Sequence, residues 1–290
     1  MTMTVLRAGP LTVFKDEGRP GHAGQGVAPS GAVDRAAYAR ANTLAGNPRG
    51  AAALECTLGG LRVRFEEPAT VVLTGTDAVL TVDGARTGVE EVVAVPAGAV
   101  VAVTMPRRGL RSYLAVRGGF AVPLVLGSRS TDLFAGIGPA RPAPGDSVPI
   151  GPAPAESARG LPPAGEPATD APLEVDLGPR ADWFTAAAIE TFLSAEFTVS
   201  PAGDSVGLRL DGPVLARART DELLSEGMVR GSVQVPPDGH PIIFQADHPV
   251  TGGYPVIAVL TPAAADRAGQ ARPGARIRFA RAADPLPGQE

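Results

Sequence analysis

The sequence predicts a mainly β protein with a few helices, arranged as closed or nearly closed β-barrels in two domains. Short alternating or apolar runs recur along both halves, each bounded by turn residues, as half-buried strands require. Glycine (36) and proline (30) together make up nearly a quarter of the 290 residues, a turn-rich composition. Barrels also remove the exposed edges that so many short strands would otherwise present. With 44% hydrophobic but only 4% aromatic residues, the core must be mostly Val, Leu, Ala and Ile.

In chain order, the first half carries runs at 11–14, 61–65, 70–73, 79–82, 91–95, 100–105 and 112–116, with Val82-Asp83-Gly84 as a turn. One helix stands out from Asp34 to about Ala45. Asp34 caps it or sits in its first turn, Ala37, Ala41 and Leu44 share a face, and Gly46-Asn47-Pro48 stops it. From 139 to 172 the chain becomes rich in Pro, Ala and Gly without periodicity. Residues 151–171 therefore read as a linker between domains at 1–150 and 172–285. The second half opens with a strand at 173–177. A helix from Pro179 or Arg180 to Ser194 follows, burying Phe184, Ala188, Ile189, Phe192 and Leu193. Strands at 197–199, 206–210, 233–235, 242–245, 256–260 and 276–279 come next, with a short helix from Thr261-Pro262 to Ala268. The runs 233–235 and 242–245 flank Pro236-Pro237-Asp238-Gly239, a hairpin pattern, because Asp-Gly tolerates the positive φ of a tight turn.

Composition excludes several function classes. A net charge of −4 without a basic tract argues against a nucleic-acid partner. The N-terminal residues lack a basic segment followed by an apolar one, so no signal peptide is expected. The longest apolar-rich run, 92–105, contains Pro96 and Gly98 and is too short to span a bilayer, which gives the expectation of a soluble, cytoplasmic protein with no membrane partner. Cys56 is the single cysteine, so there is no internal disulfide. Lys15 is the single lysine, and no glycine-rich phosphate loop ends in it. Its neighbours, Phe14-Lys15-Asp16-Glu17, do not resemble a biotin attachment site, so any covalent biotin must come on another chain.

Candidate functional residues fall in a few segments. Gly203-Asp204-Ser205-Val206-Gly207 has the spacing of a nucleophile elbow, but a strand and turn follow it where the elbow needs a helix. His22, His240 and His248 are not spaced as metal ligands, and no metal site is expected. Arg117-Gly118-Gly119 and Gly127-Ser128-Arg129-Ser130-Thr131 offer guanidinium groups, hydroxyls and approachable amides that suit a carboxylate or phosphate; the alternative is a polar loop in which Thr131 or Asp132 caps a turn. Asp34 stands at a helix N-terminus, where an external anion or Asp34 itself can satisfy the exposed amides. Between 225 and 255, Gln234, Gln245, Asp247 and Thr251-Gly252-Gly253-Tyr254 sit beside the hairpin. They read either as a small-molecule site, with backbone that a ligand can approach closely, or as a barrel corner.

Taken together, these segments resemble one family. Asp16-Glu17-Gly18-Arg19-Pro20-Gly21, Pro29-Ser30-Gly31-Ala32-Val33-Asp34-Arg35, the runs 53–60, 113–120 and 125–132, then 178–184, 224–227, 234–241 and Thr251-Gly252-Gly253-Tyr254-Pro255 look like the biotin-dependent carboxyltransferase family, also called allophanate hydrolase subunit 2. Within it, the chain most resembles the C subunits of 5-oxoprolinases. The resemblance implies two cyclophilin-like β-barrel domains, a companion protein of the subunit 1 type and a lactam-opening subunit. It also implies ATP with magnesium in the complex and a small carboxylate as substrate. On that reading Arg117, Ser128, Arg129 and Thr131 contact anions. Gln234, Gln245, Asp247, Thr251, Gly252, Gly253 and Tyr254 line the substrate pocket, and Asp34, Glu226 and Asp247 are the catalytic carboxylates. Two other roles occur in the family: carboxyl transfer from biotin carried elsewhere, and non-catalytic regulation. Ser205 and Leu208 stand where the family usually has arginine and tyrosine, and His248 where a basic residue is common.

Overall fold

Strands dominate both halves of the chain, as the short apolar runs require. The structure is a computed structural model and describes residues 1–155 and 171–283. The chain divides into two units, Met1–Glu166 and Pro167–Glu290. Most of the expected linker, 156–170, lies outside the described residues.

The first unit contains β1 (Thr2–Ala8), β2 (Leu11–Lys15), α1 (Arg35–Ala45), β3 (Ala53–Thr57), β4 (Leu61–Phe65), β5 (Ala69–Thr74), β6 (Leu80–Val82), β7 (Ala85–Arg86), β8 (Val93–Val95), β9 (Val100–Val103), β10 (Arg111–Val116) and β11 (Ser147–Pro149). They form two sheets of order β11-β1-β4-β9-β6-β7 and β2-β3-β10-β5-β8. Alternation decides the inner face. On β4, Leu61, Val63 and Phe65 are buried while Arg62 and Arg64 point outward. The inner faces of both sheets meet in one core that includes Met3, Val5, Leu54, Cys56, Phe65, Val71 and Leu114.

β10 is buried at every position because α1 covers its other face: Ala37, Tyr38, Ala41 and Leu44 pack on Val72, Tyr113 and Ala115. The short patterns of β1, β3, β7 and β11 were not legible as strands. In β3 the buried Glu55 breaks the apolar run.

Burial pushes the Cys56 thiol up to about 12, and the neighbouring Glu55 adds to this. Native protein at pH 8 is therefore expected to resist a thiol-reactive reagent, and urea-unfolded protein to react at once. Fast labelling of native protein would show that β3 opens readily.

The second unit contains β12 (Leu173–Leu177), α2 (Ala186–Ser194), β13 (Phe197–Val199), β14 (Gly207–Asp211), β15 (Glu226–Gly227), β16 (Ser232–Gln234), β17 (Ile242–Phe244), β18 (Thr251–Gly252), β19 (Val256–Leu260), α3 (Pro262–Ala268), β20 (Arg276–Ile277) and β21 (Phe279–Arg281). Eight strands follow the order β20-β13-β14-β17-β16-β19-β12-β21, and β15 pairs with β18 separately. The two end strands, β20 and β21, are separated in sequence only by Arg278, so the sheet nearly closes on itself. The predicted single strand at 276–279 is thus two, exchanging β13 for β12 as a neighbour. The predicted hairpin is present as β16–β17, with Val233 opposite Ile243.

The second helix begins later than its apolar pattern suggests. Thr185 caps it, its hydroxyl accepting from the Ala188 amide at 3.1 Å, and a 3-10 turn at Ala181–Trp183 precedes it. The core gathers Phe192, Phe197 and Phe279, with Phe192 stacked on Phe279 at 4.3 Å. Among the described residues no helix is long and apolar enough to cross a membrane.

Candidate functional site

In the first unit, three segments far apart in sequence meet at Asp16. The loop after β2 and the loop before α1 are tied by backbone bonds, Arg19 to the Pro29 carbonyl at 2.7 Å and Ala32 to the Asp16 carbonyl at 3.0 Å. The 128–132 loop closes on the same point. Asp16 Oδ1 accepts from Ser128 Oγ at 2.6 Å, Ser130 Oγ at 2.7 Å and the Gly18 amide at 2.8 Å, and Oδ2 accepts from the Arg129 amide at 2.5 Å. This loop does have the donors for an anion, and the carboxylate they hold is the chain's own. Thr131 Oγ1 donates to the Pro139 carbonyl and Arg129 Nε to the Val122 carbonyl.

A second buried polar group lies under α1. The Tyr113 hydroxyl donates to Glu55 Oε2 at 2.7 Å and accepts from the Asp34 amide at 2.7 Å. The Val33 amide also reaches Glu55, and Arg111 stands 3.7 Å from its other oxygen. Burial first, then the charges of Glu55 and Asp34, push the Tyr113 phenol well up, so it stays a donor. The Asp34 carboxylate accepts from the Ala37 amide at 2.9 Å, which is the capping alternative. Lys15, almost wholly buried, donates to Ser30 Oγ at 3.3 Å.

Ser128, Arg129 and Thr131 are thus brought together. Arg117 lies elsewhere, donating to the Ala45 carbonyl that ends α1 and to the Pro154 carbonyl. There it lines a cleft of about 580 Å³ with Thr70, Val95 and Ile150. Asp16, Arg19, Glu55 and Tyr113 were not singled out as site residues from the sequence. Their signal was a charged or hydroxyl residue inside an otherwise apolar strand, or next to a glycine turn.

In the second unit, the β15–β18 pair places Glu226 opposite Gly252. Arg180 grips Glu226 through Nε, at 2.9 and 3.1 Å, and through Nη2. That hydrogen bonding holds the Glu226 carboxyl below its usual range and raises Arg180. The pair suits a fixed charge better than proton transfer near neutral pH.

Gln234 Nε2 donates to the Tyr254 carbonyl at 3.0 Å, and a Cβ at Gly252 would stand 2.5 Å from that nitrogen. The close approach at Gly252 is therefore to Gln234. Thr251, Gly253 and Tyr254 are exposed, and Arg217 lies over the Tyr254 ring at 5.8 Å.

Just beyond β17, Gln245 and Asp247 are buried. Neither amide atom of Gln245 has a hydrogen-bond partner. Asp204 Oδ1 caps the Val206 and Gly207 amides, and β14 follows, so the segment at 203–207 is a turn entering a strand.

Among the described residues no three His, Cys, Asp or Glu side chains gather to hold a metal ion. Among the described residues, the Ser128 and Ser130 hydroxyls and the Arg129 amide are taken up by Asp16 and do not form an open donor set for magnesium ATP.

Two strand-rich units, the second built on a nearly closed sheet, carry these polar clusters. The family model for the carboxyltransferase domain, subdomain A and B, matches residues 25–281, and the chain belongs to that family. It is 36% identical over 266 residues to the 5-oxoprolinase C subunit of Escherichia coli, covering 90% of this chain and 85% of that protein. It is 31% identical to the 5-oxoprolinase C subunit of Haemophilus influenzae, covering 95% of this chain and 89% of that protein. The crystal structure of the K. lactis urea amidolyase superposes with a TM-score of 0.90 at 29% identity, covering 96% of this chain but only 18% of that one. The chain is thus related to subunits and domains of hydrolase and carboxylase enzyme complexes.

Proposed function

We propose that this chain is the C-type subunit of an ATP-dependent 5-oxoprolinase, which opens 5-oxoproline to glutamate together with companion subunits. One observation carries the reading. The two bacterial 5-oxoprolinase proteins match this chain over 85% and 89% of their length, whereas the urea amidolyase contains it as a small part. Companions of the subunit 1 type and a lactam-opening subunit follow from the same reading.

An unstrained lactam resists hydrolysis, and nucleotide binding falls to the companions. The part played by this chain is to hold and orient the substrate. Gln245 suits that part: a carboxamide presents a donor and an acceptor side by side, and a lactam offers the matching N–H and C=O on one edge.

The test is ATP-dependent glutamate release from 5-oxoproline by the reconstituted complex, omitting one subunit at a time. Loss of activity when this chain is left out is the expected result. Full activity without it, or none in any combination of folded subunits, would overturn the assignment. In the second case a biotin carrier would be supplied, because likeness to urea amidolyase makes carboxyl transfer the next reading.

A further inference from the structure

The β15–β18 ribbon stands apart from the eight-stranded sheet of the second unit. A two-stranded ribbon is marginal in water on its own. Polar contacts tie this one down: Arg180 to Glu226, and Gln234 Nε2 to the Tyr254 carbonyl at 3.0 Å. One end of it is apolar and exposed. Glu226 faces Gly252 and Gly227 faces Thr251. Carried two residues further, that antiparallel register sets Leu224 opposite Tyr254. The Leu223 carbonyl lies 4.0 Å from where a Cβ on Gly253 would stand, so the two segments stay together beyond the paired residues. Leu223 packs against the core of the unit, whereas Leu224 is 85% exposed. Tyr254 is 44% exposed, with Arg217 over its ring at 5.8 Å.

An exposed leucine beside a tyrosine and an arginine has the composition of an interface centre. The charges leading into it are acidic, since Asp221 and Glu222 are both exposed. Two copies meeting through this ribbon about a twofold axis would bring those acids together, which opposes self-pairing. On the oxoprolinase reading, Thr251, Gly253 and Tyr254 line the substrate pocket. All three are exposed in the chain and give that pocket one wall only. A small-molecule site buries most of its ligand, so the facing wall comes from another chain.

We propose that Leu224 and Tyr254 anchor a companion protein of the complex. That protein presents an apolar pocket edged by basic side chains, and it closes the substrate site over Thr251 and Gly253. The inference rests on the proposed oxoprolinase function and names the surface through which that complex forms.

The test is the affinity of the full chain for each purified companion, measured by calorimetry, with Leu224→Asp beside the unaltered chain. The substitution falls on an exposed side chain, so the fold is kept. Val89→Asp, at an apolar position of the first unit that is 55% exposed, is the control. Leu224→Asp is expected to weaken a companion roughly 30- to 100-fold, and Val89→Asp to leave its binding unchanged. Raising the companion concentration should restore glutamate release by Leu224→Asp, because only docking is impaired. Equal binding by Leu224→Asp and the unaltered chain in an active complex would overturn the docking surface and leave the oxoprolinase function standing. A dimer of the unaltered chain that Leu224→Asp dissociates, with companion binding unchanged, would give the ribbon to a second copy and overturn the proposal. No companion binding by the unaltered chain would overturn both readings.

Discussion

Replacing Asp16 by Ala is expected to cost about 3–5 kcal/mol of unfolding free energy. The carboxylate accepts from two hydroxyls and two amides, and it is 5% exposed. Removing it leaves those donors buried without an acceptor. It also unties the loop after β2 from the 128–132 loop. Asp16→Asn should recover little, because the carboxamide turns an NH₂ group toward donors. Urea unfolding followed by far-ultraviolet circular dichroism checks this. Trp183 fluorescence, the only indole signal, reports the second unit and serves as a comparison. A loss below about 1 kcal/mol would mean that water satisfies the freed donors.

Gln245→Leu is expected to act in the opposite direction on stability and to damage function. The buried amide lacks partners for both atoms, so a leucine of similar volume should stabilise the second unit by about 1–3 kcal/mol. If the amide reads the lactam edge, the same change should lower kcat/KM of the reconstituted complex by roughly 100-fold. A protein that is both more stable and fully active would place Gln245 outside the site. One that is less stable would show that a bound water already completes the amide. A gain in stability with loss of activity is the signature of a residue kept for function at a structural cost.

Much of the fold was legible because it rests on local rules. The strands at 61–65, 173–177, 197–199 and 256–260 coincide with their apolar runs. The hairpin around Asp238-Gly239 and the helix at Pro262–Ala268 follow from turn and capping chemistry. The second helix was placed too early because a 3.6-residue apolar pattern does not reveal where a threonine hydroxyl will stop the preceding turn. The strand at 276–279 was right in place and wrong in kind, since a change of sheet neighbour leaves no mark on apolar periodicity.

The candidate site was legible only as separate segments. The resemblance selected Ser128, Arg129 and Thr131 as anion contacts, and the sequence supplied suitable donors. That the anion held by Ser128, Ser130 and the Arg129 amide is Asp16, more than a hundred residues earlier, is a long-range pairing, and no local pattern encodes it. The same holds for Asp34, whose carboxylate caps α1 while its amide is held by Tyr113. The sequence by itself determined the strand-rich class, the turns and caps, and the family, because these depend on residues close together or on motifs in order. Tertiary structure decided which polar groups are satisfied and which, like Arg19 Nη1 and both amide atoms of Gln245, are left buried and unmet. Hydrogen-bond satisfaction depends on what the folded chain brings within about 3 Å, whatever the distance along the sequence.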